Sequence, residues 1–224
     1  MDLIKEKIYK NAPAIFLSGG VILWFITFLI DRYYNQNQIL VWMPFVIIQI
    51  LTSTICGILL KKMYGQVHTD VLTGLCNRKF FYKKLSELQS KAPVSLILID
   101  LDNFKNINDT YGHIAGDHVL QQFAEILRSD TRKNDTIARW GGEEFAVILP
   151  QTDTKEAFII ADRIRMNVEN HIFSYDGITC KITVSIGIAV TKEGVNADAE
   201  QFIRIADEAL YRAKEKKNYV IAVT

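Results

Sequence analysis

Two long uncharged runs open the chain, and short apolar runs alternating with helical periodicities fill the rest. Residues 12–30 read APAIFLSGGVILWFITFLI and residues 39–60 read ILVWMPFVIIQILTSTICGILL, neither with an acidic or basic side chain. At about 1.5 Å of rise per residue they predict helices of about 28 Å and about 33 Å, matched to a hydrocarbon core of about 30 Å. The first run is long for a cleaved signal peptide, lacks a small-residue cleavage site and is closely followed by the second. The expectation is a two-helix membrane anchor over residues 1–63 and a separate domain over 64–224. Lys5, Lys7 and Lys10 before the first run and Lys61 and Lys62 after the second outnumber Arg32 in the connector DRYYNQNQ. That asymmetry puts both termini and the C-terminal domain on the cytoplasmic side of a multi-pass protein in contact with lipid of the inner, cytoplasmic membrane. Ser18, Gly19 and Gly20 would let helices approach closely.

Beyond KKMYGQVHT, Asn77 caps a predicted helix over about 78–90, with Phe81, Leu85 and Leu88 at helical spacing. The continuously apolar VSLILID, 94–100, reads as a buried central strand. Residues 115–130 put Val119, Leu120, Phe123, Ile126 and Leu127 on one helical face. TIARW and EFAVIL flank Gly141 and Gly142, predicting a β-hairpin over 136–149 whose turn uses the positive φ that glycine allows. A helix over 154–171, the strand KITVSIGIAV, the helix AEQFIRIADEALYRAKEK and the strand YVIAV complete the order. Strands separated sometimes by helices and once by a hairpin predict an α/β fold, a ferredoxin-like mixed sheet flanked by helices.

Composition adds little: 224 residues, 49% hydrophobic and 23% charged, are ordinary for folded protein. A net charge of +1, without a basic stripe interleaved with aromatics, gives no case for nucleic acid. Cys56, Cys76 and Cys180 have no metal or redox spacing and read as reduced, structural thiols.

The chemistry lies in carboxylates. Asp100 and Asp102 stand where the buried strand ends, an edge at which α/β sheets bind ligands, and such a pair suits Mg²⁺ with substrate phosphates. Asp102 alternatively caps a short helix beginning at Asn103 and Phe104. Glu143 and Glu144 follow the Gly-Gly turn. If the two strands are neighbours, all four converge on one metal-phosphate site.

DVLTGLCNR at 70–78, DLDNFKNINDTYGHIAGD at 100–117 and RWGGEEF at 139–145 together resemble the GGDEF family of bacterial diguanylate cyclases, in its GGEEF form. The resemblance runs from about residue 68 to the end. It implies the GGDEF, nucleotidyl-cyclase-like fold and a homodimer that joins two GTP into cyclic di-GMP with release of two diphosphates. It implies Mg²⁺, or Mn²⁺, held by Asp100, Glu143 and the Leu101 carbonyl, while Asp102 either approaches a second metal or braces the loop. Asn108 and Asp117 would read guanine, whose N1–H and N2–H suit a carboxylate. Lys105 would neutralise phosphate charge, Gly141 and Gly142 would run beside the triphosphate, and Glu144 would either deprotonate the 3′-hydroxyl or bind a second metal. Where the family shows AK-x-x-GR this chain has AKEKKN, without the glycine and read as one residue shorter, so Lys214 carries over and Lys217 stands in for the arginine. Arg132 and Asp135, an R-x-x-D separated from GGEEF by five residues, match the family's inhibitory site for its product.

Overall fold

Val94–Leu101 is a strand of eight consecutive buried residues, and this continuous burial places it at the centre of a sheet covered on both faces. In the computed structural model, which describes residue 8 and residues 11–34, 39–88, 93–191 and 199–223, that strand organises the larger of two compact units, His68–Thr224. The strands are β1 (Cys76–Asn77), β2 (Val94–Leu101), β3 (Thr136–Gly141), β4 (Glu144–Pro150), β5 (Phe173–Tyr175), β6 (Ile178–Cys180), β7 (Val184–Thr191) and β8 (Val220–Val223). The helices with described bounds are α1 (Ala12–Tyr34), α2 (Ile39–His68), α3 (Arg78–Ser86), α4 (Phe104–Tyr111), α5 (His113–Asp130), α6 (Thr154–Asn170) and α7 (Ala199–Lys216).

Six strands form one sheet in the order β1-β3-β4-β2-β7-β8. The outer pairs β1–β3 and β7–β8 are parallel and the inner pairs antiparallel, giving the expected mixed sheet. Along β2 successive side chains alternate between two cores. Ile97, Ile99 and Leu101 pack with Val119, Phe123 and Leu127 of α5 and Ile160 and Ile164 of α6. Leu96 and Leu98 pack with Phe81 and Leu85 of α3 and Phe202, Ala206 and Leu210 of α7. β7 and α7 approach so closely that a Cβ at Gly187 would overlap the backbone of Ala206 and Leu210.

Local signals hold where they are strong. The Asn77 side chain accepts the Phe80 N–H at 3.0 Å, capping α3, and Ala157, Ile160, Ile164 and Val168 are all buried. The helix expected over about 78–90 stops earlier, at Ser86 with Glu87 as its C-cap, and Glu87–Leu88 form a turn; residues 89–90 lie outside the described residues. Cys56, Cys76 and Cys180 are thiols, none in a disulfide.

The smaller unit, Met1–Val67, holds two helices long and apolar enough to cross a membrane by length and composition, with stretches at Ala12–Ile30 and Pro44–Lys61. The helix α2 continues through KKMYGQVH. Close packing within the unit falls at Gly57, where a Cβ would lie 2.7 Å from the Pro13 Cα; Gly20 faces Ser53, whereas Gly19 meets open space. Lys5, Lys7 and Lys10 and connector residues 35–38, on which the expected orientation draws, lie outside the described residues.

Candidate active site

Asp100, the penultimate residue of β2, stands opposite Glu144 of β4 and Ser185 of β7. Beyond it the Leu101 N–H donates to the Glu143 carbonyl at 3.3 Å, so the strand end and the hairpin tip are tied at the backbone. The sheet thus makes Asp100, Glu143 and Glu144 neighbours, as the motifs require. The helix α7 adds a cation to this cluster: Lys214 Nζ donates to Asp100 Oδ2 at 2.8 Å.

Charge crowding marks the cluster. Burial, helped by Glu143 and Asp102, pushes the Asp100 carboxyl above its ordinary range despite the Lys214 ammonium. Burial and then Asp100 push Glu144 up too, with Glu143 and Asp207 adding to the effect. Desolvation alone would lower Lys214, but its bond to Asp100 and the charges of Glu144 and Glu143 raise it. One lysine is shared among carboxylates that disfavour one another's charge.

Gly142 adopts φ +41° in the hairpin turn, the left-handed backbone expected there, whereas Gly141 does not. The turn is held by Arg139, whose Nε donates to the Gly142 carbonyl at 2.9 Å and whose Nη1 lies 3.3 Å from Asp70 Oδ1. Asp70 also accepts from the Thr73 N–H at 2.9 Å and hydroxyl at 2.7 Å. Asp70 and Arg139 lie inside two recognisable motifs but carried no sequence assignment; their partnership across the fold is what identifies them.

Asp102 is hydrogen-bonded through both carboxylate oxygens. One carboxylate oxygen accepts from the Thr183 hydroxyl at 2.7 Å and the Asn218 N–H at 2.8 Å, the other from the Ser185 hydroxyl at 2.7 Å. It braces the loop, and the capping role does not hold: Asn103 is the N-cap of α4, in left-handed conformation with φ 57° and no side-chain cap bond. Lys105 lies exposed in the first turn of α4.

AKEKKN corrects the expected register. Counted from Lys214, it has the same length as AK-x-x-GR, with Lys217 at the glycine position and Asn218 at the arginine position. The backbone agrees, since Lys217 has φ +56°, the region glycine favours. The Asn218 side chain is engaged by Arg165 and Glu169, at 3.1 Å and 2.8 Å. Lys217 Nζ donates to Asn103 Oδ1 at 2.7 Å, beside the start of α4.

Asn108 lies on α4 and Asp117 on α5, helices that meet at Gly112, whose N–H donates to the Asn108 carbonyl at 2.9 Å. Among the described residues neither side chain takes part in a hydrogen bond or ion pair. Arg132 and Asp135 lie apart, at the other end of β3 from the glycine turn, about 20 Å away at about 3.3 Å per residue. There the Asp135 carboxylate accepts the Arg132 N–H at 2.7 Å, burial raises its pKa, and an open cavity of about 770 Å³ is lined by Leu88, Arg132, Lys133, Asp135 and Gln151.

The donor set at the strand end, carboxylates with a nearby carbonyl, suits a hard divalent cation. Among the described residues no three His, Cys, Asp or Glu side chains form a ready metal cage, so phosphate oxygens would have to complete the coordination.

Residues 67–219 match the family described as Diguanylate cyclase, GGDEF domain. The chain is 34% identical over 224 residues to Diguanylate cyclase A of Treponema denticola, covering 96% of this chain and 60% of that protein. It is 44% identical over 153 residues to the response regulator PleD of Caulobacter vibrioides, covering 65% of this chain but 34% of PleD. The chain therefore spans between about a third and three fifths of the length of these relatives. Among solved structures it resembles the coiled coil and GGDEF domain of DgcB from Caulobacter crescentus in complex with c-di-GMP, with TM-score 0.66, 29% identity, and 73% and 90% of the two chains covered. It also resembles the diguanylate cyclase SiaD from Pseudomonas aeruginosa in complex with its activator SiaC, with TM-score 0.67, 27% identity, and 99% and 85% covered.

Proposed function

The chain belongs to the GGDEF family of diguanylate cyclases, and from that premise we propose that it condenses two GTP into cyclic di-GMP with release of two diphosphates. The observation that carries the reading is the junction of Asp100, Glu143, Glu144 and Lys214 at one sheet edge, tied by the Leu101–Glu143 backbone bond. Asp100, Glu143 and the Leu101 carbonyl would hold Mg²⁺ or Mn²⁺, which supplies charge neutralisation at the phosphates. Lys214, Lys105 and Lys217 bring further positive charge to the triphosphate, and Gly141 and Gly142 let the backbone approach it. Asn108 and Asp117, whose polar ends are uncommitted among the described residues, bind guanine. Glu144, whose carboxyl is pushed above its ordinary range by burial and then by Asp100, would either accept the proton of a 3′-hydroxyl or bind a second metal.

One domain presents one such edge, so ring closure takes two subunits facing each other, each 3′-hydroxyl attacking the other's α-phosphate. The helices α1 and α2 would anchor the protein in the cytoplasmic membrane with both termini inside and raise the encounter frequency of catalytic domains. Arg132 and Asp135, beside the open cavity at the far end of β3, would take cyclic di-GMP as a feedback ligand.

A receptor without turnover is the second reading, favoured by one observation: the residue at the arginine position, Asn218, is committed to Arg165 and Glu169. Incubating detergent-purified protein and Glu143→Ala with GTP and Mg²⁺, then separating the nucleotides by chromatography, decides between them. Cyclic di-GMP from the parent and not from the variant supports the cyclase; bound nucleotide without product supports the receptor.

A further inference from the structure

We propose that Gly116 is a positioning residue for guanine recognition, its missing side chain leaving the space in which the Asn108 amide is seated; this rests on the reading of Asn108 as a guanine contact. Gly116 is buried in the first turn of α5, and its N–H donates to the Gly112 carbonyl at 3.2 Å while the Gly112 N–H closes α4 on the Asn108 carbonyl at 2.9 Å. A Cβ built at 116 would lie 3.1 Å from Asn108 Cγ, closer still to Oδ1, and 3.2 Å from Cζ of the buried Phe104. The amide therefore packs directly on the α5 backbone, in the volume a methyl group would take.

No backbone requirement explains the glycine. Gly116 is absent from the positive-φ glycines, which are Gly74, Gly112, Gly142 and Gly177, and in a helix glycine is among the poorest residues. Alanine at 116 would suit the helix and would be accommodated by the amide, the far end of a short side chain, turning out of its place. Folding and recognition then respond in opposite directions, which is the mark of a residue kept for position.

A double-mutant cycle on the full chain in detergent tests this, with equilibrium GTP affinity in Mg²⁺ as the readout. Gly116→Ala and Asn108→Ala are each expected to weaken GTP binding about tenfold, the scale of one lost hydrogen-bonding group, and to reduce the preference for GTP over ATP. The double variant is expected to bind no more weakly than Asn108→Ala alone, and the thermal midpoint of Gly116→Ala to be at or above that of the parent. Unchanged GTP affinity in Gly116→Ala, losses that add in the double variant, or a midpoint well below the parent's would each overturn the inference. If Asn108→Ala itself binds GTP like the parent, the assignment of Asn108 fails, and the inference fails with it.

Discussion

The Lys214 ammonium stands 2.8 Å from Asp100 Oδ2, so on the proposed reading a lysine and a divalent cation would be rivals for one carboxylate. Lys214 also answers the charges of Glu143 and Glu144. Lys214→Met is expected to tighten the binding of Mn²⁺ alone, because a competing charge is gone. The same change is expected to weaken GTP about tenfold, because a phosphate partner is lost. Metal titration without nucleotide and GTP titration read the two effects separately; a shift of both in one direction would refute the rivalry.

Acid should loosen the link between Asp70 and Arg139. Burial opposes ionisation of Asp70, but the Thr73 hydroxyl and N–H and then Arg139 outweigh it and hold the carboxyl below its ordinary 3.8. A depressed carboxyl contributes stability that is complete above its unfolded value and is lost as pH falls through the folded one. Asp70→Asn is therefore expected to lower stability at pH 7 and to flatten the loss of stability below about pH 4, as read by urea unfolding across pH.

Lys217 sits in left-handed backbone, which costs a non-glycine residue about 1 kcal/mol. Lys217→Gly is expected to raise stability by about that amount in chemical unfolding. It also removes the amine that reaches Asn103, so GTP affinity is expected to fall while the fold strengthens. Unchanged GTP affinity would take Lys217 out of the phosphate site.

Gly187 allows no such exchange. A Cβ there meets the backbone of Leu210 and Ala206, which cannot rotate away, and Gly187→Ala is expected to cost at least about 3 kcal/mol by forcing α7 off β7. Because α7 carries Lys214, GTP binding should fall with it. Full stability in thermal unfolding would show that the helix can shift freely.

The strands and helices that were legible in the sequence are those long enough to show a period. VSLILID betrays a strand buried on both faces, and the stripe from Val119 to Leu127 betrays a helix on a sheet. The β5–β6 hairpin was not read, because each strand has only three residues, although Asp176–Gly177 at its turn, with φ of 45° and 78°, is a hairpin signal. At the site, Asp100 and Glu143 were legible as motif residues beside strand ends. The role of Asp102 was not, because Thr183, Ser185 and Asn218 come from distant parts of the chain and meet it only after folding. The register at AKEKKN was legible too, since six residues counted from Ala213 match AK-x-x-GR position for position, and the expectation was short by one; the positive φ of Lys217 agrees with the glycine position.

The clasp from Asp70 through Arg139 to Gly142 also fixes where the domain can be cut. The segment from Thr69 to Cys76 closes on itself, with a bridge between those two residues and the Asp70 N–H on the Leu75 carbonyl at 2.8 Å. A fragment begun at Leu72 would retain every residue assigned here to nucleotide or metal, yet it would leave the Arg139 guanidinium without its carboxylate and the glycine turn without its outer tether. The shortest faithful excision thus starts at or before His68, and the segment most easily mistaken for trimmable linker is a part of the edge that carries the glycine turn.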